Sequence, residues 1–226
     1  MEIIPAIMPK SFEDIREHVE RVFEYVDCIQ LDLMDGQFVE AKTWPFFDKD
    51  KQSARELIEG KIKLPYADKL KYEFDLMVRN PETDLKKYIS LGASRLIIHA
   101  NSVGDRELLM TELSKLKKLE WGIAFLATDN VREWSDVVEK SDFVQLMGIE
   151  NIGYQGQPFD SRVLDQVLHI KQVKPSAIIS IDGGINLETA HELAQLGVKR
   201  VVSGSVVFGA NNPGVSIEDF KNISNG

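Results

Sequence analysis

The sequence predicts an α/β chain closed into a (β/α)8 barrel, and three observations carry the prediction. Eight short runs of β-forming residues alternate with helical patterns from one end to the other. That alternation indicates a parallel sheet, and a count of eight favours a closed barrel over an open sheet. The length, 226 residues, suits one such barrel. Two acidic signatures, Asp32-Leu33-Met34-Asp35-Gly36 and Ser180-Ile181-Asp182-Gly183-Gly184-Ile185, each follow a β-rich run and contain its closing glycine. They put a carboxylate at the C-terminal end of each of two strands, the end where barrel active sites are built. A single domain over residues 1–226 is expected.

In chain order, strands are expected at Ile3 to Met8, Cys28 to Met34, Lys71 to Met77, Arg95 to His99, Trp121 to Leu126, Asp142 to Met147, Ala177 to Ile181 and Arg200 to Ser203. Amphipathic spacing predicts helices over Phe12 to Tyr25, Glu82 to Leu91, Glu107 to Leu116, Ser161 to Val173 and Leu187 to Leu196. Gly92 and Gly197 read as helix C-caps. Trp44 to Asp68 breaks the regularity as a long, mostly polar connection, with room for a short helix at Gln52 to Gly60. Its length fits a surface excursion and a lid equally well.

Composition narrows the partners. A net charge of -9 argues against nonspecific binding to nucleic acid or an anionic membrane, since both are polyanions. It leaves room for a phosphorylated metabolite, which needs only a local cluster of N–H donors. Cys28 is the one cysteine, which excludes an internal disulfide and favours a cytoplasmic setting. The opening Met1-Glu2-Ile3-Ile4-Pro5 does not read as a signal peptide, and no apolar run approaches bilayer-spanning length.

Strand alternation sorts the residues that could do chemistry. Gln30, Asp32 and Met34 share one face of the second strand, and Glu73, Asp75 and Met77 one face of the third. Ser180 and Asp182 share a face of the seventh. This polar set is expected to line the top of the barrel interior, where isolated charges are costly unless paired, metal-bound or solvated. Asp75 alone could instead form a buried hydrogen bond. Glycines after the last three strands, Gly148 with Gly153 and Gly156, Gly183-Gly184, then Gly204-Ser205, suit a phosphate site of backbone N–H groups. His18, His169 and His191 fall in helices, and His99 reads as a structural or a substrate-contacting residue. No spaced Cys/His zinc motif is present. Met8, Met34, Met77 and Met147 each sit at a strand end; they read as core filling or as an apolar lining around an anionic intermediate.

These residues resemble the ribulose-phosphate 3-epimerase family along nearly the whole chain. The resemblance rests on Ile4-Pro5-Ala6-Ile7, Leu31 to Phe38, Leu76-Met77-Val78-Arg79-Asn80-Pro81, Gln145-Leu146-Met147, Gly153 to Gln157, Ile181 to Asn186 and Gly204-Ser205-Val206-Val207-Phe208-Gly209. It implies a ribulose-phosphate-binding (β/α)8 barrel of the pentose phosphate pathway, interconverting D-ribulose 5-phosphate and D-xylulose 5-phosphate or a related 3-epimeric pair. Asp32 and Asp182 match the family's acid and base, acting on opposite faces of C3 through an enediolate. Gly183, Gly184, Gly204 and Ser205 match its phosphate grip; Met34, Met77 and Met147 match its methionine lining. Family members form homo-oligomers, and one is expected here.

The departures are specific. The family's two metal-binding histidines fall on Gln30 and Asp75, and a substrate-contacting serine on Ala6. The loop Gly148-Ile149-Glu150-Asn151-Ile152 replaces the usual sequence. What remains is an oxygen-only set, Asp32, Asp75, Asp182 and at most Gln30, suited to Mg²⁺ or Mn²⁺ more than zinc, or to no cation at all. Without a cation, three clustered carboxylates would repel and at least one would hold a proton. Two further readings stand beside the epimerase. A catalytically silent phosphosugar-binding barrel would account for Gln30, Asp75 and Ala6 together. A related decarboxylase or hexulose-phosphate synthase would need a lysine where Met34 stands.

Overall fold

Eight parallel strands pair in the order in which the chain supplies them and close into a barrel. The computed structural model describes residues 1–154 and 156–223; Gln155, inside the Gly153-to-Gln157 run, and residues 224–226 lie outside the described residues. The strands are β1 (Glu2–Ile7), β2 (Cys28–Met34), β3 (Lys71–Met77), β4 (Arg95–His99), β5 (Glu120–Leu126), β6 (Phe143–Met147), β7 (Ile178–Asp182) and β8 (Arg200–Ser203). The helices are α1 (Phe12–Glu20), α2 (Lys51–Ile58), α3 (Leu85–Ser90), α4 (Arg106–Ser114), α5 (Ser135–Lys140), α6 (Val163–Val173), α7 (Leu187–Gln195), α8 (Ser205–Phe208) and α9 (Pro213–Lys221). No described helix is long and apolar enough to cross a membrane.

All eight expected strands are present, with ends shifted by at most a residue. The helices depart more. Phe12 to Tyr25 stops being helical at Glu20 and finishes in single turns, with the Val22 amide bonded back to Val19. Glu82 to Leu91 splits: Pro81 opens a short 3-10 turn, and Asp84, at φ -153, breaks the chain before α3. Where local chemistry is strong, it sets the helix starts. Ser11 accepts from the Asp14 amide, Asp105 from Leu108, and Asn186 with Thr189 forms a reciprocal capping box. Asn212 with Pro213 starts α9 in the same way. Gly92 and Gly197 follow their helices at positive φ, as expected of C-caps.

By contact the chain falls into two compact units, one of Ala6–Glu120 and one of Met1–Pro5 with the chain from Trp121 onward. In the first, β2 and β3 pair in register, Gln30 beside Glu73, Asp32 beside Asp75 and Met34 beside Met77. Leu31, Leu33, Phe74 and Leu76, on the alternate face, are fully buried, roughly 1.5–3 kcal/mol of apolar transfer for each. Lower in the sheet, Arg95 at the start of β4 donates to Glu73 on β3 at 2.6 Å and lies 3.1 Å from Glu120.

The Trp44-to-Asp68 connection is packed down. Trp44 is fully buried and donates its indole N–H to Ser53; Leu57, Leu64 and Pro65 are buried; the Tyr72 hydroxyl donates to the Pro65 carbonyl. Phe23 stacks on Tyr66 with centroids 3.9 Å apart. Its α2 fulfils the expectation of a short helix.

This connection also buries Asp50, whose carboxyl is pushed up from its ordinary 3.8 by loss of solvent, partly offset by Lys49. A raised carboxyl stabilises the fold least where it must ionise. Asp50→Asn is therefore expected to raise the melting temperature at pH 7. The gain should fade as pH falls through the raised value and vanish below 3.8. Equal melting curves for the two proteins at pH 7 would remove this account.

In the second unit, β6, β7 and β8 continue the parallel register, with Gln145 beside Ser180 and Met147 beside Asp182. β1 joins β8 from Glu2 beside Arg200 to Pro5 beside Ser203.

Candidate active site

The end of β2 is held from below and above. Thr43 donates its hydroxyl to the Asp32 carbonyl at 2.7 Å and accepts the Met34 amide at 2.9 Å, so strand and connection share one hydroxyl. Asp32 is 7% exposed and Asp75, its neighbour on β3, fully buried. Each carboxylate has a polar side chain against it. Gln30 donates its amide to Asp32 Oδ1 at 2.8 Å, and His99 Nε2 meets Asp75 Oδ1 at 2.8 Å. His99 is thus a buried partner of an acid. It reaches Asp75 across the β3–β4 pair, a relation that within-strand spacing does not reveal.

Asp35, next in the chain, holds two loops. One oxygen accepts the amides of Gln37 and Phe38, the other that of Arg79 beyond β3. The Arg79 guanidinium in turn donates to the Gln37 carbonyl. The Phe38 ring consequently sits 5.7 Å from the His99 ring at a 50° tilt. Strand alternation gives Asp35 no role, since it lies just past β2 and its carboxylate accepts backbone amides.

The second unit carries Asp182 at the end of β7, half-buried, with the Gln145 amide 3.4 Å from its Oδ2. The loops after β6 and β7 are bonded together. Gly148 donates to the Asp182 carbonyl at 2.7 Å and accepts the Asp160 amide at 2.8 Å. Gly183 and Gly184 both have positive φ, and a Cβ on Gly184 would lie 2.5 Å from Phe159 Cα. Only glycine fits that passage. Gly153 is buried and Gly156 exposed, both at positive φ. Between them and the strand, Gln157 bridges the amide and carbonyl of Asn151, closing the loop on itself. Gly204 and Ser205 open α8 directly after β8. Met34, Met77 and Met147 are buried at their strand ends, 2% exposed or less. Ala6, beside Gln30 in register, offers only a methyl group.

Asp32 and Asp75 stand side by side in register in the first unit, and Asp182 closes β7 in the second; each offers a carboxylate. The donors are all hard oxygens, which fits a divalent cation of the Mg²⁺ or Mn²⁺ kind. Gln30 faces Asp32 with nitrogen, which suits it to hold a ligand more than to be one.

The barrel closure and its alternating strands and helices define a class, the closed parallel (β/α)8 barrel. Solved structures of like fold include a 3-hexulose-6-phosphate synthase from Salmonella typhimurium, with TM-score 0.67 and 16% identity over 99% of this chain and 98% of that one. A KGPDC from Streptococcus mutans in complex with D-R5P has TM-score 0.66 and 14% identity, over 97% and 95%. At those identities they speak for the fold alone. The sequence model of the ribulose-phosphate 3 epimerase family matches residues 2–208, and the chain belongs to that family. Relatives named ribulose-phosphate 3-epimerase include those of Bacillus subtilis (strain 168), 26% identical over 98% of each chain, and Schizosaccharomyces pombe, 26% identical over 98% of this chain and 92% of its own.

Proposed function

We propose that this chain is a ketose-phosphate 3-epimerase that interconverts D-ribulose 5-phosphate and D-xylulose 5-phosphate, or a closely related 3-epimeric pair. The observation that carries this reading is the pair Asp32, two residues before the end of β2, and Asp182, the last residue of β7, in a chain of this family. One carboxylate, ionised, removes the C3 proton, made acidic by the neighbouring C2 carbonyl. The electron pair moves into a planar enediolate. The other, protonated, delivers its proton to the opposite face, and the two exchange roles for the reverse reaction.

The glycine loops at Gly153, Gly156, Gly183, Gly184, Gly204 and Ser205 hold the phosphate through backbone N–H groups, and Met34, Met77 and Met147 keep water from the intermediate. That a barrel of the same fold is found with D-R5P agrees with a phosphorylated sugar as ligand. Asp32, Asp75 and Asp182 would hold a divalent cation, which when bound supplies positive charge opposite the developing enediolate. The reading includes one domain, a cytoplasmic setting and a homo-oligomer.

The test is proton NMR of D-ribulose 5-phosphate in D2O with purified protein, run with chelator and with added Mg²⁺, Mn²⁺ or Zn²⁺. Loss of the C3 proton signal with growth of xylulose 5-phosphate is expected. Failure of exchange under every condition would reject the ribulose-phosphate assignment. Binding without turnover would favour the silent barrel, the reading that Gln30, Asp75 and Ala6 support.

A further inference from the structure

Two glutamines are fully buried beside the two aspartates of the proposed reaction. Gln30 lies two residues before Asp32 on the same strand, and its amide donates to Oδ1 at 2.8 Å. Gln145 lies on β6, two residues before Met147, which pairs with Asp182 in register, and its amide donates to Asp182 Oδ2 at 3.4 Å, with Met147 Sδ 3.9 Å away. A buried glutamine is costly unless its amide is used, because an apolar side chain fills the same space without desolvating a polar group. An ionised carboxylate only accepts hydrogen bonds, so a glutamine facing it presents its NH₂.

We propose that Gln145 is a positioning residue for Asp182. Its amide fixes the direction in which the Asp182 carboxylate faces C3, as Gln30 does for Asp32. The inference rests on the epimerase reading above. Asp182 is the more exposed of the two aspartates, so its carboxylate has more freedom of orientation for a neighbouring buried amide to restrict. Loss of the Gln145 amide should therefore impair proton transfer on one face of C3 and leave the other face intact.

The experiment compares the unaltered protein with Gln145→Met, which keeps length and burial but removes the donor. Roughly a 10-fold fall in kcat with KM unchanged is expected, the scale of one hydrogen bond to a charged group. The informative readout is how solvent deuterium is shared between recovered substrate and product, starting from each epimer in turn. A merely structural loss slows both directions alike, whereas loss of positioning at Asp182 shifts this partition toward the face that Asp32 serves.

Gln145→Met with the unaltered kcat and partition would overturn the proposal, as would an equal loss on both faces. If that variant does not fold, the side-chain amide resonance of Gln145 in ¹⁵N-labelled protein decides. It should move on Asp182→Asn, and an unmoved resonance rejects the contact. Absence of exchange by the unaltered protein would reject the epimerase and this inference together. Normal exchange with an indifferent Gln145→Met rejects this inference alone.

Discussion

Asp182→Asn is expected to slow inversion at C3 by about 10²–10⁴-fold, the usual contribution of one positioned proton-transfer group. The loss should be one-sided. With Asp32 intact, the epimer whose C3 proton faces Asp32 can still give up that proton and take one back from D2O on the same face. The variant should therefore wash deuterium into one epimer without converting it to the other. Asp32→Asn should do the same with the epimers exchanged. The measurement is C3 exchange and inversion followed together by NMR from each pure epimer. Inversion by both variants at the unaltered rate would mean that neither carboxylate carries the proton.

Arg95→Met is expected to be strongly destabilising, because it takes away the guanidinium that balances the buried Glu73 carboxylate. Burial disfavours the charged Arg95, yet Glu73, with smaller help from Cys28 and Glu120, outweighs this and holds it firmly protonated. Breaking one side of such a pair typically costs about 3–5 kcal/mol. At about 2–4 °C per kcal/mol for a chain of this size, the melting temperature should fall by roughly 6–20 °C. Pairing the change with Glu73→Leu should recover most of the loss, since an apolar pair of similar volume is often as stable as the ion pair. Thermal denaturation of the two variants and the unaltered protein decides it. A double variant no better than Arg95→Met would show that the pair is not coupled.

How much was legible in the sequence follows from the range over which each interaction acts. Strand alternation within Cys28–Met34 and Lys71–Met77 is a property of neighbouring residues, so both strands and the faces of Asp32 and Asp75 could be read directly. The caps at Ser11, Asp105 and Asn186 act over three residues, yet the helix following Trp134 and the last two helices were not foreseen. Those helices are short or weakly patterned, and their places are set by what they pack against.

The partners of the acids were the least visible. His99 meets Asp75 only because β3 and β4 pair in a particular register, and no spacing within either strand encodes that. Gln145 is a different case. It alternates with Met147 just as Gln30 alternates with Asp32 and Met34, and the same reasoning about faces would have marked it. It was passed over because it stood inside an apolar run that read as family likeness. The Trp44-to-Asp68 connection looked polar along the chain, but its few large side chains are the ones that bury.

The carboxylate of Asp35 reaches into the loops after β2 and β3 at once. Those two loops therefore do not vary independently. An insertion that moves Gln37 or Phe38 away from Asp35 also disturbs the acceptor on which the Arg79 amide depends. For anyone reshaping the mouth of this barrel, the unit of exchange is the pair of loops together with the aspartate that joins them. Grafting either loop by itself would import half a hinge.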